Sequence, residues 1–263
     1  MKFTRRIDNI IETNKPEPEL IRQKILECLD LTTLSSIDNN ESVLSLVEKS
    51  NNLNPIKLAG ICVFPKYIEI VNRHKKSPDV STISVVGGFP FSQIPIELKL
   101  NEISYCIERG CDEFDMVIDR GEVLDKNYKY VSRETYKAKE LIENKTLKTI
   151  LEIGELKTLD LIKQTSLLVL ESGSDFIKTS TGKISQGADL YSFGIMLESL
   201  KEHYNKYGEL KGIKAAGGIR SFEDAYKYAV LFIDYFGLDN LNKNHFRIGG
   251  SSLLESLLPE NQL

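Results

Sequence analysis

Two lysines lie in apolar segments of the chain, and a poorly hydrated amine of this kind can react with a carbonyl group. Lys178 follows the segment 174–177 and opens into the hydroxyl-rich turn 179–183, whereas Lys214 lies in the segment 212–218. Only a neutral amine attacks a carbonyl, but an ordinary lysine, with a pKa of about 10.4, is protonated at neutral pH. A second cation about 4 Å away, at an effective dielectric of about 20, supplies the roughly 4 kcal/mol that lowers this pKa to about 7 to 8. The two lysines therefore predict imine chemistry.

Short apolar runs alternate with longer amphipathic stretches, and these runs must position the two lysines. Several runs are rich in Ile and Val and are bounded by glycine or polar residues, which is typical of parallel strands buried on both faces. There are about eight of them, the number that a closed (β/α)8 TIM barrel requires. The predicted strands are Cys28–Leu31, Leu58–Phe64, Thr82–Phe89, Glu113–Ile118, Thr149–Gly154, Asp175–Lys178, Gly212–Ala216 and Phe246–Gly249.

Helical patterns separate the predicted strands, for example Ile94–Ile107, Tyr130–Ile142, Leu159–Leu170 and Ser221–Phe232. Ser221 and Ser252 each precede an acidic residue by three positions, which predicts a capping box at the start of two helices. No low-complexity stretch or linker divides the chain. We therefore predict an α/β fold with a single domain over residues 1–263, in which residues 1–27 form an extra N-terminal helical segment packed on the barrel.

The direction of the strands decides where function lies. The outer face of a barrel strand packs against helices, so a charged residue within a strand must face the lumen or lie at the carboxyl end, where barrel active sites are found. Asp115, Lys178 and Lys214 meet this condition. Each of them alone could equally belong to a buried ion pair that only stabilises the barrel. One carboxylate between two lysines leaves one lysine unmatched, however, and this favours an active site.

Two glycine pairs predict a phosphate site at the same mouth of the barrel. Gly217–Gly218 and Gly249–Gly250 each follow a predicted strand and precede a serine at a helix start, which offers backbone N–H groups and a positive helix end to an anion. Glycines in such turns also occur for steric reasons alone. Barrels frequently hold phosphate after strands seven and eight, and the two pairs lie after those strands.

Composition excludes several classes of partner. The 263 residues carry 34 Lys and Arg against 38 Asp and Glu, a net charge of −4, so no basic surplus attracts nucleic acid or an anionic membrane. No apolar run is long enough for a signal peptide or a transmembrane helix. The cysteines form no Cys-x-x-Cys pair and the histidines have no ligand spacing, so we expect a cytoplasmic protein without disulfides, metal or other cofactor. These residues are Cys28, Cys62, Cys106, Cys111, His74, His203 and His245.

Six motifs, taken in order, resemble those of deoxyribose-phosphate aldolases, a class I aldolase family. Most of the motifs are ordinary when taken singly. The ordered set is specific, above all 176–183 combined with 214–220, and it spans nearly the whole chain. The motifs are Asp30–Leu34, Glu113–Val117, Leu151–Leu156, Asp175–Gly182, Lys214–Arg220 and Ile248–Ser252.

This resemblance implies reversible cleavage of 2-deoxy-D-ribose 5-phosphate into D-glyceraldehyde 3-phosphate and acetaldehyde, by an enzyme that is a dimer or tetramer. It implies that Lys178 forms the Schiff base, that Asp115 moves protons with an ordered water, and that Lys214 perturbs Lys178 and serves the proton relay. Asp30, predicted at the end of the first strand, would orient Lys214, or it is simply a cap or turn residue. The resemblance places Lys183, Gly217, Gly218, Gly249, Ser251 and Ser252 at the phosphate, and Thr32 and Thr181 at the sugar hydroxyls.

Two segments depart from the family pattern. Many members end in a tyrosine that enters the site, whereas this chain ends in Pro259–Leu263, so either another group does that work or turnover is slower. The segment Ile118–Gly121 is more charged than the family pattern implies, so the loop over the site is expected to differ. Cys62 is expected to be a packing residue rather than a nucleophile.

Two other functions stay open at this point. A different class I aldolase or a transaldolase would share Lys178 and the phosphate turns. A phosphosugar sensor without catalytic activity would bind the same ligand without covalent capture.

Overall fold

The strands of the computed structural model, which describes residues 2–53 and 55–258, form a closed barrel. Eight strands occur in these residues, and each pairs in parallel with its neighbours in chain order, so that the last pairs with the first. This arrangement confirms the predicted (β/α)8 TIM barrel. The strands are β1 (Leu29–Thr32), β2 (Gly60–Val63), β3 (Ser81–Val86), β4 (Glu113–Val117), β5 (Thr146–Ile150), β6 (Phe176–Lys178), β7 (Gly212–Ala216) and β8 (Phe246–Gly250).

Several strands alternate apolar and charged side chains, and the two kinds of side chain face different parts of the protein. In β1, Leu29 and Leu31 belong to the main hydrophobic core, whereas Asp30 between them bonds to Arg247 on β8. Successive side chains of a strand point to opposite faces. The main hydrophobic core therefore lies between the strands and the surrounding helices, whereas the lumen holds the charged side chains together with a small apolar cluster.

The predicted bounds of β5 were wrong, because the strand lies earlier in the chain. We expected this strand at Thr149–Gly154, but it runs from Thr146 to Ile150. Lys148 interrupts the apolar run although it is fully buried, because its side chain lies in the polar lumen. The apolar residues after Ile150 belong instead to a loop and to a short helix.

Helices follow each strand and cover the outside of the barrel. The helices within the described residues are α1 (Lys2–Thr13), α2 (Pro18–Glu27), α3 (Asn40–Asn51), α4 (Ile68–His74), α5 (Ile96–Glu108), α6 (Arg120–Leu124), α7 (Tyr128–Ile142), α8 (Ile153–Leu156), α9 (Leu159–Glu171), α10 (Leu190–Tyr207), α11 (Phe222–Phe236) and α12 (Leu253–Leu257). None of these helices is long and apolar enough to cross a membrane.

The two predicted capping boxes have different outcomes. The side chain of Ser221 accepts a hydrogen bond from the backbone N–H of Asp224, which confirms the cap at the start of α11. Ser252 precedes α12 in the same way but makes no side-chain capping bond, so the second prediction was wrong. The helix that follows Ser252 has only 5 residues.

The extra N-terminal segment is helical, as predicted. α1 packs against α10 and α11, and α2 packs against α11 and α12. Gly194 of α10 allows close approach, because a Cβ atom there would lie 2.6 Å from the side chain of Ile7. The predicted domain covers residues 1–263. Residues 1, 54 and 259–263, and with them the tail Pro259–Leu263, lie outside the described residues.

Candidate active site

Lys178 and Lys214 meet at a single carboxylate. They are register partners on the neighbouring strands β6 and β7. The Nζ atoms of both donate to Oδ2 of Asp115, each over 2.7 Å. Asp115 lies on β4, three strands away from β7, so these bonds cross the lumen. The structure thus brings the three predicted catalytic side chains into direct contact.

Basic groups outnumber carboxylates in this lumen. In the part of the chain that the structure describes, four basic side chains are joined to three carboxylates by contacts of 2.5 to 2.9 Å. All seven side chains are buried, so one positive charge would be uncompensated if every group were ionised. The basic residues are Lys148, Lys178, Lys214 and Arg247, and the acidic ones are Asp30, Glu113 and Asp115.

The surroundings of the two lysines shift their pKa values in opposite directions. Burial lowers the pKa of Lys178; the Asp115 carboxylate opposes this shift and the Lys214 ammonium adds to it. Burial also disfavours the charged form of Lys214, but Asp115 and Asp30 outweigh it and raise the pKa of Lys214. The charges of the lumen are then balanced when Lys178 alone is uncharged. Repulsion by Lys214 had been expected to suffice, whereas burial is the larger cause.

Asp115 stays ionised in this environment. Burial disfavours its carboxylate, but the ammonium groups of Lys148 and Lys214, together with the hydrogen bond from Lys178, hold the pKa of Asp115 well below its usual range. Lys148 donates to Oδ1 over 2.9 Å, which leaves Oδ2 to Lys178 and Lys214. Asp115 is therefore held as a carboxylate beside Lys178.

We expected Asp30 at the end of the first strand, but it lies within the strand. It is the second residue of β1 and is fully buried, and it is neither a helix cap nor a turn residue. Its Oδ2 atom lies 2.5 Å from Nζ of Lys214, an ion contact without hydrogen-bond geometry. Its Oδ1 atom accepts from Arg247 over 2.5 Å. Lys214 thus contacts Asp30 in addition to Asp115.

Sequence reasoning missed three members of the charged cluster. Lys148 stood one residue before the predicted start of its strand, so it was not considered as a strand residue. Glu113 and Arg247 lay within predicted strands, and the condition that selected Asp115 would also have selected them. Arg247 donates to Glu113 over 2.8 Å, and Lys148 lies 2.5 Å from the same carboxylate.

The Glu113 contacts predict how stability depends on pH. Burial raises the pKa of Glu113, but Lys148 and Arg247 outweigh it and hold this pKa below the ordinary value. A depressed pKa adds stability above the unfolded-state pKa of about 4.3, and this stability is lost as the pH falls further. We expect Glu113→Gln to lower the free energy of unfolding at pH 7 by about 3 to 5 kcal/mol.

Urea unfolding measured between pH 5 and pH 3 tests this prediction. The variant should lose stability with falling pH less steeply than the wild type, by up to about 1.4 kcal/mol per pH unit for one titrating group. Glu171→Gln is a control for an exposed pair, since Glu171 contacts Lys206 on the surface. Equal slopes in the wild type and in Glu113→Gln would contradict the assignment.

An open cavity of about 360 Å³ lies above Lys178. All eight residues predicted to bind substrate or phosphate line it, and the lining also includes three polar residues that had not been predicted, Arg220, Thr33 and Ser35. The eight predicted residues are Thr32, Thr181, Lys183, Gly217, Gly218, Gly249, Ser251 and Ser252. Lys178 is the member of the catalytic trio that reaches the cavity.

Glycine is required in this cavity for two different reasons. Gly218 has a φ of +84° with no atom within 4 Å of a built Cβ, so its backbone conformation is the constraint. Gly249 is constrained by space, because a Cβ atom there would lie 3.0 Å from Cε of Lys214. Besides lining the cavity, Gly249 therefore leaves room for the Lys214 side chain.

Several polar side chains around the cavity already have protein partners. Thr32 donates to the carbonyl of Asp30 over 2.8 Å, and Thr181 donates to the Glu152 carboxylate. Lys183 donates to the carbonyl of Leu34 across the mouth of the cavity. A ligand that binds Lys183 must compete with this contact.

Cys62 lies in the lumen as an uncharged thiol. Burial raises its pKa to about 11, so it is not a thiolate at neutral pH. It packs with Leu34, Ile83 and Val85 in a small hydrophobic cluster. This agrees with the expectation of a packing residue. No group of three or more His, Cys, Asp or Glu side chains in residues 2–53 and 55–258 is arranged to hold a metal ion.

Fold and site together define a (β/α)8-barrel enzyme with a buried amine beneath an open polar cavity. The family model described as DeoC/LacD family aldolase matches residues 25–237. A Caenorhabditis elegans protein that carries deoxyribose-phosphate aldolase as its provisional name is 37% identical over 242 residues, which cover 90% of this chain and 80% of that protein. The chain therefore belongs to the DeoC/LacD aldolase family. It is an aldolase, of class I by family.

Solved structures agree with this assignment. The structure described as a unique tetrameric deoxyribose phosphate aldolase from Aeropyrum pernix is 28% identical, covers 96% of both chains and has a TM-score of 0.67. A crystal structure from Toxoplasma gondii superimposes with a TM-score of 0.81 at 23% identity, over 91% of this chain and 93% of that one. The second similarity shows the fold alone.

Proposed function

We propose that this aldolase cleaves 2-deoxy-D-ribose 5-phosphate reversibly into D-glyceraldehyde 3-phosphate and acetaldehyde, in the breakdown of deoxyribonucleotides. The observation that carries the proposal is the shared Asp115 oxygen, which joins Lys178 to Lys214 at the floor of the cavity. The choice of substrate is supported by the provisional name of the Caenorhabditis elegans relative and by the similarity to the Aeropyrum pernix deoxyribose phosphate aldolase.

In the proposed reaction, Lys178 is the nucleophile. Its neutral amine attacks C1 of the open-chain sugar, and loss of water together with uptake of one proton from solvent gives a protonated imine. Asp115, acting with a water, removes the proton of the C3 hydroxyl. The C2–C3 bond then breaks, its electron pair passes to the imine as an enamine, and C3 leaves as the aldehyde of D-glyceraldehyde 3-phosphate. Protonation of the enamine at C2 and hydrolysis release acetaldehyde and restore Lys178.

Lys214 and Asp30 support this chemistry in the proposal. Lys214 contacts the same oxygen of Asp115 as Lys178, so it can pass protons to and from that carboxylate as well as disfavour a charge on Lys178. Asp30 fixes the position of Lys214 over a contact of 2.5 Å.

The phosphate would bind at the outer end of the cavity. Gly217, Gly218, Ser251 and Ser252 line this part, together with the exposed cations Lys183 and Arg220. A glycine-rich surface lets a phosphate approach the backbone closely, and two cations compensate its charge.

Capture of acetaldehyde tests the proposed nucleophile. Sodium borohydride added with acetaldehyde should leave an ethyl group on Lys178, which peptide mass spectrometry locates. A transaldolase or another class I aldolase would fail to release acetaldehyde from 2-deoxyribose 5-phosphate. A sensor would bind this sugar phosphate without covalent capture. An ethyl group on any other lysine, with Lys178 unmodified, would refute the assignment.

Replacement of Lys183 tests the phosphate site. A hydrogen bond to a charged group contributes about 1.5 to 3 kcal/mol, so Lys183→Met should raise the KM for 2-deoxyribose 5-phosphate by about 10- to 100-fold. The kcat/KM for unphosphorylated 2-deoxyribose should stay within about threefold of wild type. Lys163→Met serves as a control, because Lys163 is an exposed residue of α9 that pairs with Glu202. Equal losses on both sugars would place Lys183 elsewhere in the mechanism.

We further propose that the chain forms a homo-oligomer in the cytoplasm. The tetrameric Aeropyrum pernix relative supports the assembly. Cys28, Cys62, Cys106 and Cys111 are all free and buried, which supports a reducing compartment. Light scattering coupled to size-exclusion chromatography measures the assembly, and the mass of a single chain would contradict it.

A further inference from the structure

Two sequence segments that the proposed reaction does not use meet beside the cavity. The segment 151–156 belongs to the family pattern, and the segment 118–121 departs from it. In the structure they supply Glu152 and Arg120, whose side chains lie 3.8 Å apart. Both side chains are buried at the carboxyl ends of the strands.

Glu152 holds the turn that carries Thr181. Both its carboxylate oxygens lie within 3.4 Å of the backbone N–H of Thr181, and one of them accepts from the Thr181 hydroxyl. The side chain of Glu152 is completely buried, and its backbone has the left-handed φ of 56° and ψ of 65°. This conformation is uncommon for a residue other than glycine and occurs where surrounding structure enforces it.

Arg120 fixes the opposite side of this arrangement. Its guanidinium group donates to the carbonyls of Pro90 and Phe91 over 2.8 and 3.1 Å, and it lies 2.7 Å from the Glu155 carboxylate. The loops that follow β3, β4 and β5 are therefore joined at one buried cation. Because Glu152 accepts hydrogen bonds from Thr181, it connects these loops to the loop after β6.

The hydrogen bonds of Thr181 leave its hydroxyl able only to accept a hydrogen bond from a ligand. A hydroxyl has one hydrogen and two lone pairs. The hydrogen goes to Glu152, and one lone pair accepts from the backbone N–H of Lys183 over 3.1 Å. Thr181 lines the cavity, so the group that it presents to a ligand is the remaining lone pair.

We infer that Glu152 is a positioning residue that makes Thr181 an acceptor for a hydroxyl of the sugar. This inference rests on the proposed function. The hydroxyls of 2-deoxyribose 5-phosphate at C3 and C4 belong to the glyceraldehyde half, whereas acetaldehyde has none. Glu152 therefore affects recognition and cleavage of the sugar, and it does not affect formation of an imine between Lys178 and acetaldehyde.

Four variants test the inference: Glu152→Met, Glu152→Gln, Thr181→Val and the double variant E152M/T181V. Loss of the acceptor or of the hydroxyl should lower kcat/KM for the sugar phosphate by about 10- to 100-fold. The double variant should be no worse than the poorer single variant, because the two residues act as one unit. Glutamine keeps an acceptor oxygen and should restore the activity to within about threefold of wild type.

Capture of acetaldehyde by borohydride supplies the second readout and should be equal in all four variants. Glu155→Gln is the matched control, since Glu155 contacts the same Arg120 but not Thr181, and its effect should be less than threefold. Should Glu152→Met fail to fold, Glu152→Asp replaces it in the single and double variants, because the shorter side chain keeps the negative charge beside Arg120 but withdraws the carboxylate from the Thr181 hydroxyl.

The outcomes separate this inference from the proposed function. Additive losses in the double variant, or a parallel loss of acetaldehyde capture, would overturn the positioning role. A wild type that cleaves the sugar phosphate and captures acetaldehyde, alongside a fully active Glu152→Met, would remove this inference alone. A wild type that does neither would remove the proposed function and this inference with it.

Discussion

Lys178→Met is expected to abolish aldol cleavage without destabilising the protein. Loss of the nucleophile should lower kcat by about 10⁴-fold or more, since no other described lysine reaches the floor of the cavity. The remaining lumen would contain three basic groups and three carboxylates, so no buried charge is left without a partner. The free energy of unfolding should then stay within about 1 kcal/mol of the wild-type value.

A steady-state assay for D-glyceraldehyde 3-phosphate, together with urea unfolding, measures both parts of this prediction. Lys148→Met provides the matched control, because Lys148 is equally buried in the lumen but is paired with Glu113 and Asp115. We expect that control to lose about 3 to 5 kcal/mol of stability. If Lys178→Met were destabilised as strongly as Lys148→Met, Lys178 would be a structural ion-pair member rather than the neutral amine.

The second large effect concerns Lys214. Lys214→Met removes the cation that competes for Oδ2 of Asp115, so the carboxylate then stabilises a proton on Lys178. Since each unit of pKa reduces the neutral fraction tenfold, we expect kcat/KM near pH 7 to fall by about 10²- to 10³-fold. Activity requires the neutral amine, which forms as the pH rises through its pKa. The acid limb of the profile, where activity rises with pH, should therefore move to higher pH, with partial recovery at alkaline pH.

A pH profile of kcat/KM for the wild type and for Lys214→Met measures this shift. Lys214→Arg keeps the cation, so its profile should keep the wild-type midpoint, although the guanidinium fits the space beside Gly249 less well. A profile with the same midpoint in the wild type and in Lys214→Met would show that Lys214 does not control the charge on Lys178.

Much of the barrel could be predicted from the sequence because seven of the eight strands are apolar enough to stand out. β5 was displaced because Lys148 breaks its apolar run, and the apolar residues that follow it lie in a loop and in α8. A pattern of hydrophobicity does not distinguish a strand residue that faces a charged lumen from a residue in solvent. For the same reason the sequence did not reveal that Lys148 contacts Asp115.

The candidate site was predictable only as far as residue types at strand ends allow. The meeting of Asp115, Lys178 and Lys214 follows from strand order and direction, which the sequence indicates. The bond between Glu152 and Thr181 depends on the left-handed backbone at residue 152 and on adjacent loops. Neither feature leaves a signal in residue spacing, so this partnership became visible only in three dimensions.

The excess of one basic group in the lumen bears on the lifetime of the covalent adduct in the proposed reaction. A protonated imine on Lys178 returns to the barrel the positive charge that the resting amine does not carry. Breaking the carbon–carbon bond converts this cation into a neutral enamine, so the positive charge is lost again. The barrel therefore destabilises the cationic adduct relative to the uncharged species before and after it, which favours rapid turnover over accumulation of modified enzyme.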